Sequence, residues 1–257
     1  MTKFTVENID SWRNIIRTSI PQLSINTVIF RFHKMKLQFA AVQLIHGNLW
    51  FIPGGYVYQD ESVDEAARRN LNEQTQIHDL ILYQFGSFGS SDRRMNVTTG
   101  GIEHLGMPED IRDWISQRFV TLSYYSVIAD IHNEIKVNPL YSSAKWLNID
   151  DNDILAMDHS IIVTEARKAL AKDLLSQPLL ISFMPAEFTM PELQKLYEAI
   201  LGRSVDRGNF RKRMLKSGFL KKTGQVKGNT RQRPPELYQI NKEYYLSSLI
   251  EDVKLGF

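Results

Sequence analysis

Cysteine is absent from the 257 residues. That excludes a disulfide framework, a thiolate nucleophile and any zinc site built on sulfur, and it fits a reducing compartment. Long apolar runs are missing too: no window approaches the ~20 residues a membrane span needs. The opening "MTKFTVENIDSWRN" is polar and broken by charges, unlike a secretory signal. A soluble, cytoplasmic protein is expected. Internal repeats and low-complexity tracts are also lacking, apart from a short polar linker around Thr223–Arg233. One segment is almost devoid of acids. From Arg203 to Arg233 eleven Lys and Arg residues face Asp206 alone, a net +10, whereas the whole chain carries +2. A small basic region on an otherwise acidic chain is the footprint of a polyanion partner.

What is present suits an ordinary globular protein. The chain is 43% hydrophobic and 23% charged, and its length accommodates two domains. Strand-like runs at Val28–Phe32 and Leu37–Ile45 flank a turn at "HKMK", and "LWFI" is closed by Pro53-Gly54-Gly55. From Ser62 to about Gln74, Val63, Ala66, Ala67 and Leu71 recur at helical spacing. Further strands are read in "DLILYQFGSFG" and "VTLSYYSVIADI". The long connection between them, with a short helix from Pro108 to Gln117, has the size of a lid, a binding loop or an oligomer contact. "AKWLNIDDN" and a helix from about Asp158 to Leu175 complete an α/β unit, and Pro178 and Pro185 mark a seam.

Beyond the seam, Thr189 and Glu192 have capping-box spacing, and Leu193, Leu196, Tyr197 and Ile200 form one apolar face before Gly202. A short turn leads to a second helix that starts at Asp206 and stops at Gly218, as in a helix-turn-helix. At about 100° per residue, Phe210, Met214 and Leu215 share its buried side. Asn209, Lys212, Arg213 and Lys216 lie opposite and are the candidates for reading bases; Arg207 and Arg211 lie towards the packed side. A basic hairpin follows, with Lys221, Lys222, Lys227, Arg231 and Arg233 placed to meet phosphates or the minor groove. A capped helix, a basic helix and a basic hairpin in that order make a winged helix. The plainer alternative is a small packing module that happens to be basic.

The stretch "GGYVYQDESVDEAARRNLNEQTQI" resembles the Nudix box, in which a glycine and a glutamate precede the run Arg-Glu-aliphatic-x-Glu-Glu-x-Gly-aliphatic. Gly55, Glu61, Arg69, Leu71, Glu73 and Ile77 match in register; Asn70, Gln74 and Gln76 replace two glutamates and the glycine. Hydrolysis of a diphosphate linkage in that family needs Mg²⁺ held by carboxylates. With amides at 70 and 74, catalysis is expected to be lost, with no catalytic residue, metal or cofactor. The alternative is an active pyrophosphohydrolase in which Glu61, Glu73 and an acid from the loop after Gly89 rebuild the site, its basic module binding nucleic acid. A third reading is a pure binding module.

Both halves together resemble the Nudix-related transcriptional regulators, which include ADP-ribose-responsive repressors of NAD metabolism and arabinose regulators of Bacteroidetes. The matching pieces include "FIPGGYVYQDESVDEAARRNL", "FGSFGSSDR", "MDH" and "FMPAEFTMPELQKLYEAILGRSVDRGNFRKRMLKSGFLKKTG". The enlarged connection from about Arg94 to Phe119 departs from the family. The resemblance implies an α/β (α+β) Nudix-like sandwich with a mixed sheet over 1–176 and a small winged helix-turn-helix over 177–257. It also implies a homodimeric repressor that binds operator DNA and responds to a small metabolite, with the Asp158–Leu175 helix relaying the signal. ADP-ribose would draw on Arg69 and Arg93 for its pyrophosphate. A sugar, which the neutralised box favours slightly, would draw on Glu61 and Asp92 and on the faces of Trp50, Tyr56 and Tyr58. Each has a plainer role open to it: Glu61 and Arg69 as a pair that holds the loop, Trp50 in the core, His159 as an orienter of its helix.

Overall fold

The computed structural model describes residues 5–44, 49–95, 107–129, 135–137, 141–174, 179–226 and 235–250. Lys227, Arg231 and Arg233 lie outside the described residues, as does much of the enlarged connection. The chain divides into two compact units: Met1–Phe30, Phe39–Ser126 and Asn133–Ala166 form one, and Arg31–Gln38, Val127–His132 and Arg167–Phe257 the other.

The first unit holds most of one sheet, seven-stranded among the described residues. Its strands are β1 (Ser19–His33), β2 (Lys36–Leu44), β3 (Trp50–Phe51), β4 (Gly54–Tyr58), β5 (Tyr83–Phe88), β6 (Val120–Val127) and β7 (Tyr141–Asn148). They run in the order β3-β2-β1-β6-β5, with β4 paired to β1 and β7 to β2. Ser24–Phe32 of β1 is buried without a break, as a central strand covered on both faces must be. The helices are α1 (Val6–Thr18), α2 (Val63–Thr75), α3 (Glu109–Ile115) and the part of α4 (His159–Asp173) up to Ala166. A capping box starts α2: Ser62 accepts from Glu65 N–H, and the Glu65 carboxylate accepts from Ser62 N–H. The helix ends at Gln76, which sits in the left-handed region at φ 53° where the Nudix box has its glycine. The strand before Pro53 ends at Phe51, as expected, but Gly54 and Gly55 are not part of the closing turn: they open β4, with Ile25 opposite Gly55 and Asn26 opposite Gly54.

The second unit contains α5 (Leu179–Phe183), β8 (Phe188–Thr189), α6 (Met190–Leu201), α7 (Arg207–Lys216), β9 (Leu220–Val226), β10 (Glu236–Ile240) and α8 (Lys242–Ile250). The three strands form a sheet in the order β8-β10-β9. The expected caps are in place: Thr189 with Glu192 at the start of α6, Gly202 at φ 71° after it, and Asp206 accepting from Asn209 N–H at α7. Glu198 staples the turn between the helices, accepting from Val205 N–H at 3.2 Å and from Gln194 at 3.1 Å. Phe210 and Met214 of α7 are buried, with the Phe210 ring edge-on to Tyr197. Leu215, expected beside them, is instead 40% exposed. The floor under α7 is narrow, and one further step round the helix carries Leu215 past its edge.

Candidate effector site and nucleic-acid interface

The amides that replace the Nudix glutamates turn inward. Gln74 and Asn70 are both buried. Gln74 Oε1 accepts from Gly54 N–H at 2.8 Å, and its Nε2 donates to Gly54 C=O, so one side chain closes on both polar groups of a single residue. Asn70 Nδ2 donates to Ala66 C=O at 2.8 Å and to Tyr56 C=O at 3.2 Å. The Asn70 side chain lies where a Cβ on Gly55 would go, and Ile25 C=O lies where one on Gly54 would go, so only glycine permits this approach. A carboxylate at 70 or 74 cannot donate to these carbonyls.

The surviving carboxylates are engaged as well. Arg69 holds Glu61 with two donors, at 2.9 and 2.5 Å, reaches Tyr56 C=O at 2.8 Å and Glu73 at 3.2 Å, and lies over the Tyr58 ring. Partial burial pushes the Glu61 carboxyl up, but Arg69 and the Tyr58 N–H outweigh it and hold it below its usual range. Among the described residues no group of three or more His, Asp or Glu is arranged to hold a metal ion. The residues present do not fit the divalent cation of a Nudix hydrolase: two former ligand positions donate to carbonyls, and the two remaining glutamates face a guanidinium.

Arg93 is buried in the middle of this unit. It donates to Asp158 at 2.9 Å, to Phe119 C=O at 3.2 Å and to Asn26 at 3.3 Å. Asn26 also accepts from Thr121 at 2.9 Å. The other oxygen of Asp158, Oδ1, is buried with no donor among the described residues. His159 follows and accepts from Ile52 N–H at 3.1 Å. Burial, helped by Arg93, lowers its imidazole to about 3, so it stays neutral. Asp92 is exposed and held low by the Ser90 hydroxyl.

The structure thus brings Arg93, Asp158 and Asn26 together, and pairs Glu61 with Arg69 as a brace on the β4 loop. Tyr56 belongs to an aromatic group with Trp12, Trp114 and Phe119, at centroid distances of 6.2, 4.5 and 5.5 Å. Trp12 stands on α1 and Trp114 on α3, two helices joined by the Arg13–Asp110 ion pair; sequence spacing gives no sign of this meeting. Trp50 is half-buried under the Lys145 ammonium, 3.9 Å from its ring centroid.

On the second unit, Asn209, Lys212, Arg213 and Lys216 are exposed along α7, and Lys221 and Lys222 along β9. Lys212, Lys216 and Lys221 have no carboxylate partner among the described residues. Arg207 is exposed at the start of the helix, and Arg211 is ion-paired to Glu236 at 3.3 Å. The arrangement presents uncompensated cations on a helix and an adjoining strand, which is what the DNA backbone requires.

Residues 180–240 match the NrtR DNA-binding winged helix domain, and residues 21–163 match the NUDIX domain. The chain is 29% identical over 232 residues to the ADPR responsive transcriptional repressor NtrR of Acinetobacter baylyi, covering 88% of this chain and 84% of that protein. Shewanella oneidensis NrtR complexed with a 27mer DNA is similar with a TM-score of 0.60 at 25% identity, over 88% of this chain and 96% of that one. A MutT/nudix family protein from Enterococcus faecalis, 20% identical, shares the fold with a TM-score of 0.60 over 93% of this chain and 94% of its own. A Nudix α/β domain with a mixed sheet is therefore followed by a winged helix of the NrtR type, and the chain belongs to the Nudix family.

Proposed function

We propose that this protein is a DNA-binding transcriptional repressor, acting as a homodimer, whose Nudix domain senses a metabolite and does not hydrolyse it. Residues 1–176 would sense and residues 177–257 would bind operator DNA. The observation that carries the reading is the exposed cation face of α7 and β9 on a capped helix-turn-helix. The absence of hydrolysis is supported by Gln74 and Asn70, which are committed to backbone carbonyls, and by Glu61, which is committed to Arg69.

ADP-ribose is the effector that the similarity to the Acinetobacter repressor supports. One observation favours a second reading, a free sugar. Arg69 and Arg93, the guanidinium groups a pyrophosphate would need, are already occupied, whereas Asp158 Oδ1 offers a buried acceptor for a hydroxyl. Signal relay through α4 is supported by contacts at its start and at its middle. Its N-terminal neighbour Asp158 holds Arg93, and Arg167 further along caps the last carbonyls of α6, donating to Ala199 C=O at 2.5 Å.

The test is a mobility-shift titration on the DNA upstream of the protein's own gene, with a magnesium-dependent ADP-ribose turnover assay on the same preparation. A specific shift without turnover is expected. Turnover that is lost on Glu73→Gln, with no specific shift, would overturn the reading in favour of an active hydrolase.

A further inference from the structure

Two of the exposed cations on the winged helix are not free to meet DNA. Lys222, on β9, donates to Glu236 Oε1 at 3.0 Å, and Arg211, on α7, donates to Glu236 Oε2 at 3.3 Å. The Tyr238 hydroxyl donates to the same Oε2 at 2.8 Å and fixes the carboxylate in place. The bonds from Tyr238 and Lys222 hold the Glu236 carboxyl down at about 2, so it is an anion at neutral pH. One carboxylate on β10 therefore bridges the basic helix and the basic strand. A phosphate, like this carboxylate, offers two anionic oxygens that can accept from an Arg and a Lys together. A groove of about 390 Å³ opens beside it, bordered by Gln194, Arg207, Arg211, Pro235 and Tyr238, so Arg211 has room to leave its partner. Lys212, Lys216 and Lys221 carry no such tether among the described residues.

We propose that Glu236 is an internal stand-in for a DNA phosphate, which withholds Arg211 and Lys222 from indiscriminate binding and fixes the span between the recognition helix and the wing. This rests on the DNA-binding reading above. Non-specific affinity comes almost wholly from phosphate neutralisation. A carboxylate that competes for two cations lowers that background, and at a specific site, where the other cations and the base contacts position the duplex, its loss matters less. Glu236 is then a positioning residue that sets the ratio of specific to non-specific binding.

The experiment compares wild-type protein, Glu236→Gln and the triple variant Glu236→Gln/Arg211→Ala/Lys222→Ala by fluorescence anisotropy on a random-sequence 27-base-pair duplex over a salt series. Glutamine keeps the acceptor for Tyr238 and the shape, and circular dichroism with a thermal midpoint checks the fold. Glu236→Gln is expected to bind the random duplex at least about threefold more tightly, with a salt slope steeper by up to about two. The triple variant should lose that gain, which ties it to the two released cations. Unchanged affinity and slope in a folded Glu236→Gln variant would overturn the proposal, and so would weaker binding, which would make Glu236 a structural brace only. Failure of the wild type to bind any duplex at low salt would instead remove the DNA-binding reading itself.

Discussion

Gln74 closes on both the N–H and the C=O of Gly54, which an amide can do and an ionised carboxylate cannot. Restoring the Nudix residue with Gln74→Glu is therefore expected to destabilise the first unit by about 1–3 kcal/mol at neutral pH and to restore no turnover, as urea unfolding and an ADP-ribose assay would show. The buried carboxyl would be raised, so its penalty is absent below the unfolded value of about 4.3 and grows as pH rises through the folded one. The loss should shrink in acid when variant and wild type are compared at each pH. His159 works in the opposite direction. Its folded imidazole lies at about 3, below the unfolded value of 6.5, so its contribution is complete above that value and is lost as pH falls towards 3. The expected signature is a fall in thermal midpoint from pH 6.5 downward that is shallower in His159→Gln.

At the scale of elements, the winged helix is the part most legible in the sequence, because its signals are local. Thr189, Glu192, Gly202 and Asp206 each act within four residues of the end they mark. What the sequence hid is what joins distant segments. Glu236 ties α7 to β9, and Tyr56 meets Trp12 and Trp114, through contacts that no local period encodes. The roles of Asn70 and Gln74 were legible only as lost carboxylates; that they clamp β4 depends on backbone groups 14 to 20 residues away. Leu215 shows the limit of a helical wheel, which gives direction but not the width of the surface beneath. On α7 itself, Lys212→Ala and Arg213→Ala are each expected to weaken operator binding by about 1–3 kcal/mol while leaving the thermal midpoint nearly unchanged, as anisotropy and calorimetry would check. A thermal midpoint that fell along with affinity would place them in the fold and not at the interface.

At the scale of the whole molecule, α4 is one continuous helix with residues in both compact units. If it relays the signal, Arg167→Ala should leave operator affinity without effector within about threefold of wild type and reduce the change that effector produces, because a coupling free energy can be lost without loss of either binding event. A full effector response in that variant would remove α4 from the relay. On the proposed function, a Nudix domain without its carboxylate cluster controls a winged helix on DNA. The most direct test is an anisotropy titration of the protein's own upstream DNA at fixed salt, with and without ADP-ribose and a panel of pentoses and hexoses. Specific binding that one of these compounds shifts at least about tenfold is expected, an energetic coupling of about 1.4 kcal/mol or more. Specific binding that none of them alters, or magnesium-dependent consumption of ADP-ribose with no specific binding, would contradict the proposed function.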